Sequence, residues 1–71
     1  MFVKLTNALP TLKGDPLLIN PTRIIAVHRN KATRPDGVEE EVTYVSTRDL
    51  NWEVQESVET VLELFNRALK V

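Results

Sequence analysis

Apolar positions in this chain recur mostly with a period of two until about Gln55, and at helical spacing afterwards. Phe2, Val3, Leu5 and Thr6 form a short β-favouring run. It is ended by NALPTLKGDP, whose prolines and glycine cannot continue a strand. PLLIN supplies a second strand, and Asn20-Pro21 a turn, because Pro21 fixes its own φ and pushes Asn20 out of the α region. TRIIAVHRNKAT resumes an extended pattern with Ile25 and Val27 on one face and Ile24, Ala26 and His28 on the other. Both faces turn polar after His28, so this strand is predicted to start in the core and run out into solvent.

RPDGVEEE returns the chain. Pro35 presets φ, and Asp36-Gly37 is a pair favoured where a hairpin needs positive φ. With Asp36 and Gly37 as the loop, Arg34 falls opposite Glu39 and the hairpin ends in a charged, solvated tip. EVTYVSTR is the returning strand, Arg48-Asp49 a turn, and LNWEV a half-buried strand in which Leu50, Trp52 and Val54 alternate with polar residues. Beyond Gln55, Val58, Val61, Leu62, Phe65 and Leu69 recur at helical spacing. Ser57 is the predicted N-cap, and the early acids Glu59 and Glu63 and late bases Arg67 and Lys70 complement the helix dipole. Glu63 and Arg67 also stand four residues apart.

The expected fold class is α+β: a small, bent antiparallel sheet of four or five strands with an extended β-hairpin and one C-terminal amphipathic helix covering a sheet face. Residues 1–71 read as a single domain. The expected core is Val3, Leu5, Leu18, Ile25, Val27, Val45, Trp52, Val54, Val58, Val61, Leu62, Phe65 and Leu69. Leu64, Ala68 and Val71 widen the helical stripe beyond what one sheet face needs, and read either as extra core or as a self-association surface. Ile24 and Ile25 make both sheet registers plausible, so the pattern leaves open which face the helix covers.

Composition narrows the function classes. A chain of 71 residues buries only roughly 60 % of its unfolded surface, so self-association is a natural support. It has no cysteine and one histidine, His28, which excludes disulfides, thiolate metal sites and histidine clusters. Nine Lys plus Arg against ten Asp plus Glu leave a net charge of -1, with no overall pull toward nucleic acid or anionic lipid. The N-terminus lacks a signal-peptide pattern and no window approaches the ~18 to 20 apolar residues of a membrane span, so a cytoplasmic location is expected.

No catalytic, cofactor-binding or metal-binding set emerges. Gly14 and Gly37 are the only glycines, so there is no Gly-rich phosphate loop. Glu39, Glu40 and Glu41 lack cation-loop spacing, and strand alternation points Glu40 away from its neighbours. Trp52 lies on the apolar side of its strand and reads as core before ligand platform. Arg29, Lys31 and Arg34 place basic side chains along one ribbon of the hairpin, a geometry able to enter a major groove, but Glu39 to Glu41 on the partner strand neutralise much of that field. The bland reading of these charges is edge protection and solubility.

Leu5-Thr6 on the first strand, Gly14, Ile19-Asn20 with Ile24 or Ile25 after it, and Val54, Glu56, Ser57, Glu59, Thr60 and Val61 near the end form a set that resembles the FlbD family of small flagellar proteins. The resemblance covers nearly the whole chain, and two segments extend beyond it: the loop NALPTLKG and the Arg29 to Glu41 hairpin. It implies a FlbD-like domain linked to motility, or a phage-encoded relative. A second similarity, over fewer positions, is to LytTR-type DNA-binding domains, which would use the basic strand of the hairpin. The resulting expectation is a non-enzymatic interaction protein that meets a protein partner or forms a homo-oligomer, with nucleic acid as the competing and less favoured class. Its expected contact residues are Arg29, Lys31, Arg34, Asp36, Glu39 and Glu41 on the hairpin, and Leu64, Ala68 and Val71 on the helix.

Overall fold

A computed structural model describes residues 1–70 of the chain. Five strands precede one helix: β1 Val3–Thr6, β2 Pro16–Ile19, β3 Ala26–Thr33, β4 Glu39–Ser46, β5 Asn51–Val54 and α1 Val58–Leu69, with a 3-10 turn at Pro21–Arg23. This is the expected α+β class. The strands form two antiparallel sheets, β1-β2 and β3-β4-β5. The molecule measures 43 × 23 × 20 Å.

The two sheets are not independent. Asn7, just past β1, bridges antiparallel to Val54 at the end of β5. Around it the Ala8 N–H donates to the Glu53 carbonyl at 3.0 Å and the Gln55 N–H to the Thr6 carbonyl at 2.9 Å. The Glu56 carboxylate then accepts from the Thr6 backbone N–H at 2.9 Å and from the Thr6 hydroxyl at 2.8 Å. One carboxylate therefore satisfies two donors where β1 stops pairing in its own sheet.

Local sequence explains the connections. Gly14 takes a φ of +90° where the 7–14 loop closes onto Asn7, its N–H donating to the Asn7 carbonyl at 3.0 Å. Asn20 accepts on its side-chain oxygen from the Thr22 N–H and hydroxyl, opening the 3-10 turn with Pro21 at its first position. Ser57 caps α1, accepting from the Thr60 N–H at 3.1 Å, and Arg67 donates to Glu63 one turn earlier.

The core consists of Val3, Leu5, Ile19, Val45, Val54, Val61 and Phe65, with Leu17, Ile24, Val27, Leu64 and Ala68 packed against it. The helix thus covers the sheet face that carries Val27, Val45 and Val54. Trp52 and Val58 are only half-buried. Four expected core positions are wrong, and each error has a geometric cause. Pairing of Val3 with Ile19 and Leu5 with Leu17 turns Leu17 and Ile19 inward, while Leu18 stands across from Lys4 and is 60 % exposed. The 3-10 turn interrupts alternation before β3, so Ile24 packs inward and Ile25 is 71 % exposed. On α1 the inward stripe is Val61, Leu64, Phe65 and Ala68, which leaves Leu62 and Leu69 at 47 % and 51 % exposure. The short junction at 55–57, held by Glu56 and the Ser57 cap, sets the helix's rotation.

The register predicts a sharp contrast between neighbours. Ile19→Ala should cost about 2–5 kcal/mol of stability, and Leu18→Ala no more than about 0.5 kcal/mol, in chemical denaturation followed by Trp52 fluorescence. Equal losses at both positions would reject this pairing. Glu56→Ala should cost about 1.5–3 kcal/mol in the same assay, because two buried-side donors at Thr6 lose a charged acceptor.

Candidate functional site

The hairpin between β3 and β4 turns through one residue more than expected. Thr33, not Arg34, stands opposite Glu39. The Gly37 N–H donates to the Arg34 carbonyl at 2.8 Å, and the Arg34 N–H donates to the Val38 carbonyl at 2.9 Å. This is a three-residue loop in which Gly37 alone takes positive φ, +86°. A two-residue loop of the type favoured by Asp-Gly would require positive φ at Asp36 as well. Instead Asp36 keeps an ordinary backbone and its carboxylate accepts from the Val38 N–H at 3.0 Å.

Alternation along β3 puts Arg34 on the sheet face opposite the helix, and the one-residue change turns Glu40 and Tyr44, with Glu53 beside them, onto that same face. Arg34 donates from Nε to Glu40 at 2.7 Å, from Nη1 to Glu53 at 3.0 Å and from Nη2 to the Ala8 carbonyl at 3.2 Å. Its side chain is only 13 % exposed, so the tip is not the freely solvated cluster that its sequence suggested. The Tyr44 hydroxyl donates to the other Glu53 oxygen at 3.3 Å, and the Tyr44 ring meets His28 edge to face at 5.5 Å. A single polar network therefore runs from the 7–14 loop through Arg34 and Glu53 to the middle of β3. Beside it lies an open cleft of about 280 Å³ lined by Ala8, Pro10, Lys13, Arg34, Asp36 and Glu40, among others.

Charge pairing sets the electrostatics. The hydrogen bond from Arg34 holds the Glu40 carboxyl below its ordinary value of 4.5. The bonds to Glu40 and then Glu53 hold the Arg34 guanidinium above its own ordinary value. Burial pushes the Tyr44 phenol above 10.0, and the charge of Glu53 and its hydrogen bond add to that rise.

The nine contact residues expected from sequence do not form one site. Arg34 and Asp36 share the tip cleft. Arg29, Lys31 and Glu41 lie along the hairpin, with Lys31 directly across from Glu41 and Arg29 3.8 Å from Glu59 of the helix. Glu39 is exposed beside them. Leu64 and Ala68 pack against the core, so the exposed apolar flank of α1 is instead Leu62 and Leu69, beside Ile25. Val71 lies outside the described residues. Sequence reasoning missed Ala8, Glu40, Tyr44 and Glu53 as members of the tip network. The one signal for Glu53 was an acid inside a half-buried strand, and no signal marked the Ala8 carbonyl. Among the described residues no group of three His, Asp or Glu side chains is placed to hold a metal ion, and no helix is long and apolar enough to cross a membrane.

Comparison with known proteins found no matching family model, no similar curated protein and no similar solved structure. The positions that carry the FlbD resemblance have structural tasks here. Leu5, Ile19, Val54 and Val61 are core, Thr6 and Glu56 join the sheets, Gly14 and Asn20 make turns, and Ser57 caps the helix.

The network makes two titrations diagnostic. Glu40 has its folded value lowered, so its contribution to stability is present above the unfolded value of 4.5 and is lost as pH falls through the folded one. Wild type should therefore lose more stability than Glu40→Gln on acidification below 4.5, measured by denaturation at a series of pH values. Tyr44 has its folded value raised, so its neutral form supports the fold below 10.0 and that support fades as pH rises through the folded value. In ultraviolet titration of this single tyrosine, Glu53→Gln should move the midpoint down and Arg34→Met should move it up, because the Arg34 charge opposes the rise. Midpoints unchanged by both substitutions would reject the network.

Proposed function

We propose that the protein is a non-enzymatic interaction module that acts through protein contacts, and that its main contact surface is the exposed flank of α1. The observation that carries this reading is the row formed by Ile25, Leu62 and Leu69. These three large apolar side chains border one groove of about 310 Å³ beside α1, next to a core that is already closed without them. The FlbD resemblance supplies the biological setting of the proposal: a small protein of flagellar or motility systems, or a phage-encoded relative, working in the cytoplasm.

The charges of the hairpin weigh against the nucleic-acid alternative. Arg34 is committed to Glu40 and Glu53, Arg29 lies beside Glu59, and Lys31 faces Glu41. A surface whose cations each face a carboxylate releases few counterions on meeting a phosphate backbone. The tip cleft serves as a second, smaller contact, and its Arg34 network acts to hold the hairpin against the 7–14 loop.

Affinity capture with the folded protein from the source cell tests the proposal. Leu62→Ser combined with Leu69→Ser should abolish retention of the bound partner while leaving the far-ultraviolet circular dichroism spectrum unchanged, since neither side chain belongs to the core. Retention undiminished by this pair would overturn the assignment of the surface.

A further inference from the structure

The exposed flank of α1 has a charge order that selects its occupant. Leu62 and Leu69 are seven residues apart and so share one line along the helix. On one side of that line Glu59, Glu63, Asn66, Arg67 and Lys70 border an open groove together with Leu62. The acids occupy the N-terminal half of this border and the bases the C-terminal half. On the other side Ile25 and Phe65 border the apolar groove against the start of β3.

We infer that α1 is the seam of a homodimer in which two copies pair their helices antiparallel about a two-fold axis; this rests on the proposed role of the flank as the contact surface. The axis runs beside Asn66, perpendicular to both helices. Leu62 of one copy then meets Leu69 of the other, and each copy repeats the contact. The same operation brings Glu63 against Arg67 and Glu59 toward Lys70 across the seam, twice. A parallel pairing about a two-fold axis would instead set this charged border against the apolar Ile25 and Phe65 side of the other copy. The polar border is therefore complementary to itself in one orientation only.

The pairs already present do not compete strongly. Arg29 with Glu59 and Arg67 with Glu63 are pairs between well-exposed side chains, worth little in water and free to share their partners. A helix of twelve residues is about 18 Å long. The contact is accordingly smaller than the roughly 800 Å² per partner of a standard interface. The dimer should form and dissociate with concentration, and should weaken as salt screens its exposed charges.

Solution mass of the purified full chain, by sedimentation over a concentration series, gives the first test. Wild type should pass from one to two chains, with its dissociation constant rising at higher salt. Leu62→Ser with Leu69→Ser should raise that constant at least about tenfold. Glu59→Lys with Glu63→Lys makes the border wholly basic, and Arg67→Glu with Lys70→Glu makes it wholly acidic. Each of these variants alone should stay monomeric, and mixing the two should yield a heterodimer tighter than the wild-type pair. Circular dichroism checks that each variant is folded. Should a charge variant unfold, dilution of the wild type followed by amide NMR serves in its place: concentration-dependent shifts should centre on residues 62, 66 and 69.

A wild-type monomer at every concentration would overturn the inference, as would absence of a heterodimer between folded variants. Shifts centred on the β3 edge or the hairpin tip would overturn it too. A monomer that still captures another protein through Leu62 and Leu69 would defeat self-pairing alone and leave the interaction module standing.

Discussion

The seam between residues 6–8 and 53–56 is the constraint on which the rest of this molecule depends. It joins two sheets that share no other strand pairing, and it connects positions up to 50 residues apart. Closing a loop of that length is entropically expensive, so the seam must gain from several groups together. The two backbone bonds that make the Asn7–Val54 bridge, the bidentate acceptance by Glu56 and the Gln55 side-chain bond to the Asn7 carbonyl supply that gain. Without them β1-β2 would be a two-stranded ribbon, which is marginal alone in water. With them, Val3, Leu5 and Ile19 reach the same core as Val45, Val54 and the helix.

The seam also sets the geometry of α1. Glu56 is fixed by Thr6, Ser57 caps the first turn, and the helix begins at once with little freedom to rotate. Val61 and Phe65 are thereby driven inward and Leu62 and Leu69 outward. The exposed row is thus a consequence of the junction rather than of an oversized apolar stripe. A comparable economy operates at the other end, where Arg34 ties the hairpin tip to the 7–14 loop and to β5. The 7–14 loop and the hairpin tip meet at that single guanidinium. Its fixed fork of donors suits three acceptors in different directions, a task a lysine could not perform in the same way.

Leu5, Gly14, Ile19, Asn20, Val54, Ser57 and Val61 are scaffold, and they explain why a fold can be legible while a role is not. Caps, turns and strand-to-helix junctions obey local rules that act within a few residues. Contact surfaces obey no such rule. Leu62 and Leu64 differ little as letters, yet one faces solvent and the other the core, and only the docking of the helix separates them.

The sequence by itself determined the element types and order, the Ser57 cap, the Asn20-Pro21 turn and the Glu63–Arg67 pair, because each depends on residues no more than about one helical turn or one tight turn apart. Only the tertiary structure decided the inward choice of Ile19 over Leu18 and Ile24 over Ile25, the Arg34 network and the outward row on α1. Each of these turns on register or rotation, where a shift of one residue reverses a face, and register is fixed by partners distant in the chain. Arg34 shows the point most directly: a loop longer by one residue moved it from across Glu39 to between Glu40, Glu53 and the Ala8 carbonyl.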